Sequence, residues 1–107
     1  MALFELRTYC VREGKMNEWL ALMEGEILPF MVSKGVVFTA SFYGEDDPTR
    51  YVWIRRFEDE AQRERLYKEV YESEHWTSEL SPRVGALLDR EKTVVQRLEP
   101  TRLSPMQ

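Results

Sequence analysis

Glu5-Leu6-Arg7-Thr8-Tyr9 and Tyr51-Val52-Trp53-Ile54-Arg55-Arg56-Phe57 decide the fold of this chain. Both alternate with a period of two, the signature of a β-strand. In the first, Phe4, Leu6, Thr8 and Cys10 share one side, and Glu5, Arg7 and Tyr9 the other. In the second, Tyr51, Trp53, Arg55 and Phe57 fall together. Large aromatic and charged groups thus load one side of each strand.

Working outward, the first strand is predicted over Leu3 to Val11, with Glu13-Gly14-Lys15 as the turn after it. Met16, Trp19, Leu20, Met23, Ile27, Phe30 and Met31 then repeat at helical spacing. Pro29 lacks a backbone donor and is expected to kink that helix, and Gly35 to stop it. Val36 to Tyr43 and Arg50 to Phe57 read as strands joined by a polar loop. Asp59 and Gln62 form a capping box before a helix whose stripe is Leu66, Tyr67, Val70 and Tyr71. The pattern breaks at Ser73 to Trp76 and restarts with Ser81 as cap and Pro82 at the first helical position. Lys92 to Leu98 reads as the last strand.

The order strand, helix, strand, strand, helix, strand is an α+β, ferredoxin-like βαββαβ arrangement with an antiparallel sheet. Right-handed crossovers place the first and third strands in the centre, with both helices on one face. The opposite face is expected to carry Arg7, Tyr9, Tyr51, Trp53, Arg55, Phe57, Val95 and Arg97. An open patch of that kind marks an interaction surface. A homodimer packing sheet to sheet would bury it.

At 107 residues the chain is read as one domain over 1–99 with an irregular tail over 100–107. Its net charge of −4 is interspersed, so no basic face offers itself to nucleic acid. One cysteine, Cys10, excludes a disulfide within the chain, and it reads as a small buried apolar side chain. No apolar run spans a membrane, and a strand starting almost at once leaves no room for a targeting peptide. A cytoplasmic location is expected. One His, one Cys and dispersed carboxylates give no metal-ligand spacing, and scattered glycines give no phosphate loop. No cofactor is expected.

Glu5-Leu6-Arg7-Thr8-Tyr9, Gly14-Lys15, Trp19-Leu20, Pro29, Gly35 and the stretch from Tyr51 to Glu64 resemble the NIPSNAP family. Val70 to Glu74 with Trp76 does too, so the resemblance runs over about Leu3 to Leu98. It implies the dimeric α+β barrel, in which two ferredoxin-like units join their sheets with helices outside. The wider barrel superfamily includes monooxygenases without metal or flavin, haem-degrading enzymes, isomerases and pure binding proteins. Fold alone does not choose among these.

Arg7 and Arg55, with Glu5 nearby, read as a subsite for a carboxylate or enolate, or else as a salt-bridge network with Glu5. Tyr9, Trp53, Tyr71 and Trp76 read as an aromatic ligand pocket, or else as packing. His75, the sole histidine, stands at the helix break as a candidate general base, or else as a surface histidine. The NIPSNAP motif matches Trp76, so no catalytic role passes to His75 from the resemblance. Some superfamily oxygenases use an Asn with a Trp, whereas the only Asn here, Asn17, falls on the polar side of its helix. The leading reading is a NIPSNAP-like homodimeric barrel protein binding a small aromatic or carboxylate-bearing molecule. The alternatives are a cofactor-independent monooxygenase or isomerase acting on a small cyclic substrate, and an interaction module without a site.

Overall fold

The computed structural model describes residues 2–107. The fold is the expected α+β arrangement: a four-stranded antiparallel sheet ordered β2-β3-β1-β4, with helices on one face. β1 (Leu3–Cys10) lies between β3 (Arg50–Phe57) and β4 (Val94–Leu98), and β2 (Val37–Tyr43) is the other edge. β1 and β3 pair along their whole length, with Glu5 opposite Arg55, Arg7 opposite Trp53 and Tyr9 opposite Tyr51. Paired residues in an antiparallel ladder point to the same face. The two stretches that decided the fold therefore make one continuous surface.

That surface faces the helices, which reverses the expectation that it would lie open. Tyr51 and Trp53 are fully buried, as are Arg55, Phe57 and Glu5. Trp19 and Met23 from the first helix and Leu66 and Val70 from the second complete the core. Size decides the direction. On the two central strands one side carries four aromatic rings, Tyr9, Tyr51, Trp53 and Phe57, and the other carries one, Phe4, so the helical stripes cover the aromatic side. The open face carries Leu6, Thr8, Val52, Ile54 and the exposed Phe42, Val94 and Leu98. It is still apolar, but with different residues. Cys10 points to it and is half-exposed rather than buried.

The first helical stretch has three parts: α1 (Met16–Leu22), a π-helical turn (Met23–Ile27) and α2 (Leu28–Ser33). Pro29 lies at the start of α2. The disturbance expected at Pro29 itself is taken up one turn earlier, where the widened ladder absorbs the missing donor. Gly35, at φ +104°, ends the helix, and the bonds Val36 N–H to Met31 O and Gly35 N–H to Val32 O, both 3.0 Å, close a Schellman motif.

α3 (Glu60–Tyr71) starts at the expected cap: Asp59 accepts from the Gln62 N–H at 2.8 Å. Gln62 returns the bond to the Glu58 N–H at 2.7 Å, one residue earlier than the usual box. Asp59→Ala is expected to cost about 1 kcal/mol in urea unfolding. After the break comes a second π-helical segment (His75–Leu80), running directly into α4 (Ser81–Leu87). Ser81 therefore does not cap; its hydroxyl accepts from Arg90 at 2.9 Å. A short 3₁₀ turn (Arg90–Lys92) leads into β4, which starts two residues later than expected. The last residues are irregular and fold back on the open face, where Arg56 donates to the Gln107 main-chain oxygen at 2.7 Å.

Candidate functional site

Alternation on β1 presents Glu5, Arg7 and Tyr9 to the helices, and α3 answers with Arg63, Tyr67 and Tyr71, spaced by four on one face. Glu5 is the hub. Its carboxylate accepts from Arg55 Nε at 2.8 Å, Arg63 Nε at 2.6 Å and the Tyr67 hydroxyl at 2.8 Å, with Arg7 further off at 3.4 Å. Burial by itself would raise the Glu5 pKa, but the Arg55 charge and the bonds from Arg63, Arg55 and Tyr67 hold it at about 2. Glu5 is ionised at any ordinary pH.

Arg55 is spent within the protein. Its Nη1 donates to the Tyr71 hydroxyl at 2.9 Å and its Nη2 to the Tyr67 hydroxyl at 2.7 Å. Its guanidinium carbon also lies 5.0 Å from the Trp53 ring centre and 4.8 Å from that of Tyr67. Arg7 is less occupied. Its Nε donates to the Tyr9 hydroxyl at 2.9 Å and its Nη1 to the Tyr67 hydroxyl at 3.0 Å. Burial raises the pKa of Tyr9 and of Tyr67, despite the nearby arginines, so both remain phenols.

Beside this network, between sheet and helices, is a cavity of about 250 Å³. Arg7, Tyr9 and Trp53 form its sheet wall. Trp19, Met23, Ile27 and Met31 come from the first helical stretch, and Tyr71 and Trp76 from the second. Leu88, Arg90 and Thr93 stand beyond α4, with Arg90 exposed. Both π-helical segments contribute wall residues, Met23 and Ile27 from one and Trp76 from the other, and such widened turns recur at functional sites. Edge-to-face contacts hold the aromatic walls: Tyr9 with Trp19 at 5.8 Å and Tyr71 with Trp76 at 4.9 Å. Two polar atoms are left over. The indole N–H groups of Trp19 and Trp53 are buried with no hydrogen-bond partner among the described residues.

Of the residues singled out in the sequence, Arg7, Tyr9, Trp53, Tyr71 and Trp76 stand together in this wall. Arg55 lies one layer behind, and Glu5 meets it as the alternative salt-bridge reading had it. His75 is exposed, its ring 4.8 Å from that of Phe30, and takes no part in the wall. Trp19, Met23, Ile27 and Met31, whose spacing marks only a core stripe, also line the cavity, and Arg63 joins the Glu5 network. The signal for Arg63 was its spacing of four and eight from Tyr67 and Tyr71. Among the described residues, no three His, Cys, Asp or Glu side chains come together as a metal site. No described helix is long and apolar enough to cross a membrane.

The NIPSNAP family model matches residues 4–105. No curated protein matches the chain. Among solved structures, a NIPSNAP family protein from Agrobacterium tumefaciens superposes with a TM-score of 0.88 at 23% identity, covering 100% of both chains. An uncharacterised NIPSNAP domain protein from Burkholderia xenovorans gives 0.84 at 20% identity, over 96% of this chain and 98% of that one. An antibiotic biosynthesis monooxygenase gives 0.68 at 20% identity, over 92% and 98%. At these identities the likeness is one of fold.

Proposed function

The chain belongs to the NIPSNAP family, and on that premise we propose that it is a homodimeric barrel protein holding a small aromatic or carboxylate-bearing molecule in the cavity between sheet and helices. The observation that carries the reading is a cavity of about 250 Å³ between sheet and helices in which Arg7 meets the rings of Tyr9, Tyr71 and Trp76. The volume lies just below the roughly 300–1,000 Å³ of drug-sized sites and suits one or two rings.

The dimer rests on the other face of the sheet. Phe42 and Val94, 60% and 53% exposed, lie in one row with Val52 and Thr8 across all four strands. A second copy packed on this row would bury it as an isologous interface. The single, unpaired cysteine is consistent with the cytoplasmic location that belongs to this reading.

All three tryptophans of the chain, Trp19, Trp53 and Trp76, stand in the cavity wall, so intrinsic fluorescence reports directly on it. Titration with one-ring aromatic probes such as benzoate and 4-nitroanisole is expected to quench it saturably, one molecule per chain. Fluorescence changing only linearly with every such probe would end the reading.

A further inference from the structure

We propose that the cavity takes its guest as a monoanion, a carboxylate, phenolate or enolate on a planar ring, with Arg7 as the charge partner. This rests on the cavity being the ligand site. It follows from which hydrogen-bonding groups the wall offers and from where the surrounding charge is left uncompensated.

The wall is mostly apolar, and the polar groups it does offer are mainly donors. The Tyr9 hydroxyl accepts from Arg7 Nε at 2.9 Å, and the Tyr71 hydroxyl accepts from Arg55 Nη1 at 2.9 Å. Each hydroxyl is thereby used as an acceptor, and neither has an acceptor for its own hydrogen among the described residues. Arg7 Nη2 likewise makes no bond there, since Nε and Nη1 are the atoms engaged. Among the described residues no carboxylate and no imidazole lines the cavity, and the side-chain acceptors left are the hydroxyl oxygens of Thr93, Tyr9 and Tyr71. A neutral ring with one carbonyl could satisfy few of these donors. An oxyanion, with up to about four lone-pair sites on a carboxylate, can satisfy several at once.

The charges point the same way. Arg7, Arg55 and Arg63 surround a single carboxylate, that of Glu5. Arg55 and Arg63 hold it at 2.8 and 2.6 Å, and Arg63 has a second partner in Glu60 at 3.2 Å. Arg7 reaches Glu5 only at 3.4 Å, with 16% of its side chain exposed, and it is the member of the three that lines the cavity. The surplus positive charge therefore lies at the cavity wall, in a water-poor setting where an opposite charge is strongly favoured. A site of this kind binds the ionised form of its guest better than the neutral form, and so lowers the pKa of a guest that titrates.

The probes that decide this are 4-nitrophenol, whose phenolate absorbs at longer wavelength than its phenol, and 4-nitroanisole, its methylated and uncharged counterpart. With protein in excess, below the phenol's own pKa, the phenolate band is expected to grow. Binding of the phenolate is expected to be at least 10-fold tighter than that of the anisole. In Arg7→Met the two affinities should fall within about 3-fold of each other. If that variant does not fold, Tyr71→Phe should weaken phenolate binding more than anisole binding. Equal affinity of the native protein for both probes, or a shift towards the neutral phenol, would overturn the charge assignment and leave the cavity as a neutral-ligand site. Failure of both probes to bind would overturn the cavity reading itself, and this inference with it.

Discussion

Glu5→Gln is expected to cost about 3–5 kcal/mol of folding stability, the range for breaking a buried ion pair by removing one partner. The substitution keeps size and shape. It removes the only carboxylate among the described residues that faces Arg7, Arg55 and Arg63 together, leaving Arg55 buried without a counter-charge. Acid should reproduce the effect in the native protein. The Glu5 pKa lies at about 2 when folded against an ordinary 4.5. At about 1.4 kcal/mol per pH unit, that difference amounts to about 3 kcal/mol. Because the folded value is the lower one, this contribution is complete above pH 4.5, declines as pH falls from there, and is gone once pH passes below 2. Glu26 and Asp47 are also held low, by Arg83 and Thr49, but they lie at the surface away from this network and are common to both proteins. The quantity to measure is therefore the gap in urea-unfolding free energy between native protein and Glu5→Gln. It should be several kcal/mol at pH 7 and close to nothing near pH 2. A gap below about 1 kcal/mol at pH 7 would mean that Glu5 is not the hub of the network.

Val52→Asp is expected to break the dimer, weakening association by at least 100-fold. Val52 sits mid-row on the open face, opposite Phe42 on one side and Thr8 on the other. A two-fold interface places every substituted residue in it twice, so two carboxylates would be buried without partners, at several kcal/mol together. In the isolated chain the position is half-exposed, and folding should change little. Tyr43→Asp is the control: Tyr43 is 65% exposed but pairs with Tyr51, which points to the helices, so it should leave the dimer intact. Sedimentation velocity at micromolar concentration separates the outcomes. Native protein running as a monomer would remove the dimer from the proposed function.

The two predictions draw on opposite faces of one sheet, and the faces were not equally legible. The alternation of Glu5-Arg7-Tyr9 and of Tyr51-Trp53-Arg55-Phe57 is a property of the backbone period, so it could be read directly. The capping pair Asp59 and Gln62 and the stop at Gly35 are local too, and each lies within four residues of its partners. The π-helical turn before Pro29 was not legible, because a missing donor can be absorbed at more than one place along a helix. His75 was given weight because it interrupts a pattern. The chain places it outside the cavity, on Phe30, which lies 45 positions earlier in the sequence.

What the sequence by itself determined is the set of strands and helices, their order, and which residues share a side of each strand. A period of two defines two sides without saying which is inside. That was decided only in the tertiary structure. The side with the larger aromatic area won the helices, and it could keep Arg55 buried only because Glu5 from β1 and Tyr67 and Tyr71 from α3 converge on one guanidinium. The cavity has the same origin. Its walls come from segments far apart in the chain, which only the packing of helices on sheet brings together.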